Sequence, residues 1–183
     1  MQKQLLLLLF CCLIGIKKAG AQSNTSASNG TNNLASFDMH LPVAIFARSH
    51  FAGAGLNYSW SHHRFGNNVS PSKFLGFILN AGANYYFAKK ISSAGYDFRY
   101  GGYFYPYIMP GIIVNPSATG NITLNTGPAM EIYKGNSNFG FGVNLFGSYF
   151  LTENISFGPG ITYKKHEETD ALWALAFRIS YSF

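Results

Sequence analysis

Ala171 to Phe183 reads ALWALAFRISYSF. From Ala171 the odd positions carry Trp173, Leu175, Phe177, Ile179, Tyr181 and Phe183, whereas the even positions after Leu172 carry Ala174, Ala176, Arg178, Ser180 and Ser182. Successive side chains of a strand point to opposite faces, so this segment has one apolar face and one small or polar face with a cation on it. A soluble barrel turns its apolar face inward. A strand that turns it outward needs lipid as its solvent.

The same two-residue period recurs along the chain. With segment 171–183 included, strands are expected at 35–43, 51–62, 73–88, 98–114, 122–133, 138–151, 155–166 and 171–183. In the second, Ala52, Ala54, Leu56, Tyr58 and Trp60 oppose Gly53, Gly55, Asn57, Ser59 and Ser61. In the seventh, Ile155, Phe157, Ile161 and Tyr163 oppose Ser156, Gly158, Gly160, Thr162 and Lys164. Turn-rich pieces such as Gly135-Asn136-Ser137 and Thr152-Glu153-Asn154 separate the segments, and no helical period is sustained after the N-terminal region. The pattern predicts an all-β chain, an eight-stranded antiparallel up-and-down transmembrane β-barrel.

Charges sharpen the assignment of faces, because a charge on the lipid side near the midplane costs ~2–4 kcal/mol. Asp38, Arg99, Glu131, Lys164 and Arg178 all fall on the small or polar parity of their expected strands. A charge network inside the barrel follows, Asp38 with Arg178 on the first and last strands and Glu131 with Lys164 or Arg99. Such pairs satisfy charges that cannot face lipid, or they line a gated polar path. Most strand glycines share the inward parity, among them Gly53, Gly55, Gly140, Gly142, Gly158 and Gly160. An eight-stranded wall leaves room only for side chains, so these glycines would make space for Tyr103, Tyr105, Tyr107, Tyr133 and Arg178. Outward aromatic residues near strand ends, such as Tyr58, Trp60, Trp173 and Phe183, suit two interfacial girdles. Pro106, Pro110, Pro128 and Pro159 run against the pattern, since a closed sheet has no free edge to excuse a missing donor; bulges or shorter strands are expected there.

The N-terminus carries Lys3, a 12-residue apolar run from Leu5 to Ile16, and Ala19-Gly20-Ala21. This is the layout of a signal peptide over residues 1–21, and 12 residues fall short of the ~20 of a spanning helix. Cys11 and Cys12 leave with it, so no disulfide, thiol catalysis or cysteine metal site is expected. Residues 22–33 are small, polar and uncharged, a periplasmic leader, and 34–183 form one barrel domain. The 13 basic residues fall to 10 without Lys3, Lys17 and Lys18, against 7 acidic ones, a net charge of +3. No long basic run remains, which argues against nucleic acid as a partner.

Three pieces carry a resemblance: LPVAIFARSHFAGAGLNYSWSHHRFG at 41–66, FGFGVNLFGSYF at 139–150 and the ending FRISYSF. They resemble the small outer-membrane β-barrel family widespread in Bacteroidota, often labelled porin-like. The resemblance covers nearly all of the chain after the signal. It implies an integral location in the cell outer membrane, outer-membrane lipid as partner, and Tyr181 and Phe183 as the C-terminal signal read by barrel-assembly machinery. It carries no catalytic residue, no cofactor and no agreed substrate.

With both termini periplasmic, surface loops are expected at 44–50, 89–97, 134–137 and 167–170. Arg48, His50, Lys89, Lys90 and Asp97 are the contact candidates, by location and charge. A barrel-embedded lipid-modifying enzyme would need a serine, a histidine and a carboxylate within reach of one another. The candidates are His40, His50, His62, His63 and His166, with Ser49 and Ser61 each next to a histidine. Neighbours on one strand face opposite ways, so Ser61-His62 makes no nucleophile pair and His62-His63 no metal chelate. A soluble lipocalin-like ligand barrel would carry Lys and Glu on its outer face, and 11% charge is too little for that. The expectation is a non-catalytic barrel with a structural, partner-docking or narrow-pore role.

Overall fold

The computed structural model describes residues 32–62, 74–93, 96–117, 119–152, 154–166 and 170–183. The expected signal peptide, residues 22–31 of the leader, His63 and residues 167–169 of the last loop lie outside the described residues. In chain order the elements are β1 (Asn32–Val43), α1 (Phe46–Ser49), β2 (His50–Ser61), β3 (Leu75–Ala88), β4 (Lys90–Ser93), β5 (Tyr96–Arg99), β6 (Tyr103–Ser117), β7 (Gly120–Tyr133), β8 (Asn136–Phe150), β9 (Ile155–His166) and β10 (Leu172–Ser182). Eight of the strands close into an antiparallel barrel in the order β1-β2-β3-β6-β7-β8-β9-β10, while β4 and β5 form a separate two-stranded sheet.

The seam is zipped in full register, with Phe37 opposite Ile179 and Asp38 opposite Arg178. The parity of the sequence becomes the two faces of the wall. Along β10, Trp173, Leu175, Phe177 and Ile179 are exposed on the outside, and Leu172, Ala174, Ala176, Arg178, Ser180 and Ser182 are buried inside. A slip of one residue would exchange the two sets, so the register is fixed by the pattern itself.

Two expectations are corrected. The segment 98–114 is not one strand. Phe98 and Arg99 belong to β5 and pair back with Ile91 and Lys90. The break falls at Gly101 and Gly102, where a Cβ on Gly101 would lie 2.6 Å from the Tyr133 ring and one on Gly102 would meet the Tyr85 hydroxyl. Neighbouring rings occupy the space of both side chains, and β6 begins only at Tyr103.

The prolines, second, cause no bulge. From Phe104↔Ile132 to Val114↔Ile122 the β6–β7 register is unchanged, but rungs are skipped around Pro106, Pro110 and Pro128, and the one shift falls later, between Val114 and Ser117. At Pro159 the β8–β9 ladder likewise passes from Phe146↔Gly160 to Tyr149↔Phe157 without losing register. A missing donor removes one rung. A bulge would re-aim the strand, and with inner and outer faces this different the skipped rung is the smaller cost.

The β7–β8 connection is the two-residue turn Lys134-Gly135, with φ of 49° and 85°. Both central residues at positive φ match the right-handed twist of the hairpin, and glycine takes the second without strain. Ala44 also sits at φ 54°, just before α1. An alanine pays a steric penalty in that region that glycine does not. Ala44→Gly should therefore stabilise the barrel by about 0.5–1 kcal/mol, read as a higher urea midpoint for unfolding from lipid vesicles.

Candidate functional site

Three places can carry function: the interior, the rim away from the termini, and the outer wall. The interior is layered. Nearest the termini, Leu34, Ile78, Ile113 and Phe150 form an apolar cluster. Beyond it the Ser36 hydroxyl donates to Ser180 at 2.9 Å. Asp38 accepts from Arg178 Nε at 2.7 Å and from its Nη2 at 2.8 Å, and Asn57 Nδ2 donates to the same carboxylate at 2.9 Å. The guanidinium also lies 3.6 Å from the centre of the Phe146 ring. The first and last strands are thus locked by a bidentate pair whose donors and acceptors are largely used internally.

Lys164 stands one layer further. Its Nζ donates to the Tyr86 hydroxyl at 3.2 Å and lies 4.4 Å from the Tyr105 ring and 4.9 Å from that of Tyr86. An aromatic cage holds the ammonium in place of a carboxylate. Glu131 does not meet Lys164. It faces His166, with Oε2 3.8 Å from Nε2. Arg99 is not in the interior at all; it is exposed on β5, because the strand that should have carried it inward ends at the hairpin. Of the five charges assigned to one network, Asp38 and Arg178 pair directly, Lys164 is held by Tyr86 and Tyr105, Glu131 is buried facing His166, and Arg99 is outside.

Toward the far mouth a side chain from a connection enters the interior. Phe46, on the single turn of α1, is buried against Tyr86, Tyr105, Leu172 and Ala174, with Tyr103 beside it. Lys89 Nζ donates to the Ala47 carbonyl at 2.5 Å and Lys89 N to the Ser49 carbonyl at 2.8 Å, which fastens α1 down. His50, an expected surface contact, is instead 1% exposed. One ring nitrogen contacts Ser49 Oγ at 2.8 Å and the other the Gly101 carbonyl at 2.9 Å. The two neighbours meet because Ser49 ends a helix and His50 begins a strand, so the alternation that separates Ser61 from His62 does not apply. The relay ends on a backbone carbonyl where an acyl-transfer triad has a carboxylate.

Sequence reasoning missed Tyr86 and Phe46 as interior groups that hold charge or lie toward the mouth; parity places Phe146 on the inner face but does not give its contact with Arg178. Tyr86 stands on the inward parity of its strand and was open to the same count that found Tyr105. Phe46 lies in a connection, where parity says nothing. Among the described residues, no three His, Cys, Asp or Glu side chains gather as a metal site.

The remaining contact candidates lie at the rim. Arg48, Lys90 and Asp97 are exposed and Lys89 is half-buried. Lys90 forms an ion pair with Asp97, and the Ser92 hydroxyl donates to the same carboxylate. The contact with Lys90, then that with Ser92, holds the Asp97 carboxyl below its usual range. The contact stands at neutral pH and is lost as pH falls through that lowered value. At the other rim, Tyr181 and Phe183 stack with centroids 6.4 Å apart, and Phe183 N donates to the Asn33 carbonyl at 3.0 Å.

No protein-family model matches the chain, and no curated protein does. Solved structures do. The Yersinia pestis outer membrane protein Ail in a phospholipid bilayer nanodisc is 14% identical, with 84% of this chain and 100% of that one covered and a TM-score of 0.54. The outer membrane enzyme PagL is 13% identical, with 81% and 98% covered and a TM-score of 0.56. At such identities the likeness is one of fold, the closed eight-stranded antiparallel barrel of small outer-membrane proteins.

Proposed function

We propose that the protein is a small integral outer-membrane barrel with a packed interior, serving a structural or partner-docking role at the membrane surface, without catalysis and without an open pore. The observation that carries this reading is the inversion of polarity across the wall. Asp38, Glu131, Lys164 and Arg178 are each no more than 3% exposed, while Leu41, Leu75 and Ile108 on the outer face are 57–59% exposed. Soluble monomers rarely expose contiguous apolar patches beyond about 300–600 Å². Here exposed large apolar residues stand on every strand of the barrel. A bilayer removes that cost. The resemblance to Bacteroidota outer-membrane barrels and the fold shared with Ail and PagL support the same location.

Filling of the interior supports the second half of the reading. A Cβ on Gly53 would lie 2.6 Å from the Tyr86 ring, one on Gly160 would meet the Phe146 ring, and one on Gly142 the Met109 methyl. Glycine on one strand thus receives a bulky side chain from another, as an eight-stranded interior requires. Buried apolar groups lie toward both ends, the Leu34 cluster at one and Phe46 at the other.

The test has two arms. Refolded protein should float with lipid vesicles and migrate differently on gels before and after boiling; a stable, detergent-free soluble monomer would refute the membrane location. In planar bilayers at molar salt the protein should insert without unit conductance steps. Reproducible steps would show that the interior opens and would restore the narrow-pore reading.

A further inference from the structure

Among the described residues, β4 and β5 pair with each other and with no strand of the barrel. All four residues of β5 are exposed, with Tyr96 at 81% and Phe98 at 53%. A lone two-stranded hairpin is marginal in water and needs a surface against one face. Its pairing, Lys90 with Arg99, Ile91 with Phe98 and Ser92 with Asp97, sorts the side chains. Ile91, Tyr96 and Phe98 share one face; Lys90, Arg99, Ser92 and Asp97 share the other.

Two observations say what covers it. Aromatic residues gather at the hairpin's root: the Phe98 ring lies 4.8 Å from Tyr100, and β3, which leads into the hairpin, ends in the exposed Tyr85 and Phe87, 5.2 Å apart. Lys90 and Arg99 stand directly opposite each other, an arrangement that repels in an isolated hairpin, and Asp97 pairs with Lys90 alone among the described residues. The exposed Arg48 follows Ala47, whose carbonyl holds Lys89 at the hairpin's root. Aromatic residues on one face and unbalanced cations on the other match a bilayer interface with anionic headgroups.

We propose that this hairpin is a membrane-surface clamp: Ile91, Tyr96 and Phe98 settle into the interfacial zone of the bilayer around the barrel, and Lys90 and Arg99 reach phosphates of anionic lipid headgroups. The clamp rests on the outer-membrane reading above. It would hold the connection between β3 and β6, and through Lys89 the α1 turn, at the level of the headgroups.

Hydrogen exchange tests it on the full protein in detergent micelles, in phosphatidylcholine nanodiscs and in nanodiscs containing phosphatidylglycerol. Amides of residues 90–99 should exchange about tenfold more slowly in phosphatidylglycerol nanodiscs than in micelles. The gain should shrink in phosphatidylcholine, at molar salt and in the Lys90→Gln/Arg99→Gln variant, and Phe98→Ser should lose it in both lipids. Equal, fast exchange in all three media, with β1 and β10 protected, would overturn the clamp while leaving the barrel in its membrane. Equal slowing in both lipids would overturn headgroup recognition, and slowing by inorganic phosphate in micelles would assign the cations to a soluble anion. A protein that enters no nanodisc takes the membrane reading, and the clamp with it.

Discussion

Replacing Arg178 with methionine should destabilise the barrel by about 3–5 kcal/mol, the cost of leaving one member of a buried ion pair alone. Asp38 is 1% exposed and takes two of its hydrogen bonds from Arg178. Without the guanidinium, Asn57 is its one remaining donor among the described residues, and a single neutral amide does not compensate a carboxylate cut off from water. The pair also bridges the seam, where Asp38 of β1 stands opposite Arg178 of β10, so the loss falls on the contact between the first and last strands of the barrel. Arg178→Lys should cost less, about 1–2 kcal/mol, because the charge stays while the bidentate fork and the contact with the Phe146 ring are lost. The double variant Asp38→Leu/Arg178→Met should recover most of the stability, since apolar groups of similar size often replace a buried pair at no net cost. Urea unfolding from lipid vesicles, followed by tryptophan fluorescence, measures all three. A single-variant loss under about 1 kcal/mol would mean that water reaches Asp38 and that the interior is not closed around it.

That pair was legible in the sequence and most of its surroundings were not, for a physical reason. In a closed antiparallel wall the chain order of neighbours is fixed, so the first strand must meet the last, and inward parity then places Asp38 and Arg178 on the same surface. Parity says which side a residue faces; it does not say how far along the barrel axis it sits. Glu131 and Lys164 share the inner face, yet strand tilt and register set one against His166 and the other within the Tyr86 and Tyr105 rings. Arg99 shows the other limit. Its parity was counted within a strand running through Gly101 and Gly102, and alternation cannot reveal that the chain leaves the wall there to pair with β4. The connections were the least readable. Nothing in AIFARSH distinguishes a solvated loop from one whose phenylalanine turns back into the barrel, because the space that receives Phe46 is built by Tyr86, Tyr105, Leu172 and Ala174, residues distant in sequence.

Gly158 and Gly147 lie on adjacent strands beside the skipped rungs of the β8–β9 ladder, and alanine at these two positions should have opposite consequences. A Cβ on Gly158 would run into the Gly147 carbonyl, with Gly147 C at 2.8 Å and Ser148 Cα at 3.1 Å. These are backbone atoms with no rotamer to change, so β8 and β9 must part. The rungs that would resist parting are already missing beside Pro159, so the strain spreads along the ladder toward Phe146 and Gly160. Gly158→Ala should cost about 2–3 kcal/mol, the upper range for overpacking an interior that cannot relax. A Cβ on Gly147 meets nothing within 4 Å. It stands on the outer parity, where a methyl group replaces bare backbone against lipid, and alanine there also restricts the unfolded chain. Gly147→Ala should be neutral or stabilising by about 0.4–1 kcal/mol. Both variants exchange the same residue types on the same pair of strands, so strand propensity and composition cancel and the sign reports only which side of the wall the new methyl enters. Unfolding midpoints of the two variants measured side by side in one lipid decide the matter. If Gly158→Ala proved as harmless as Gly147→Ala, the two strands would not lie as close as the Gly147 carbonyl requires, and the packed interior would lose one of its walls.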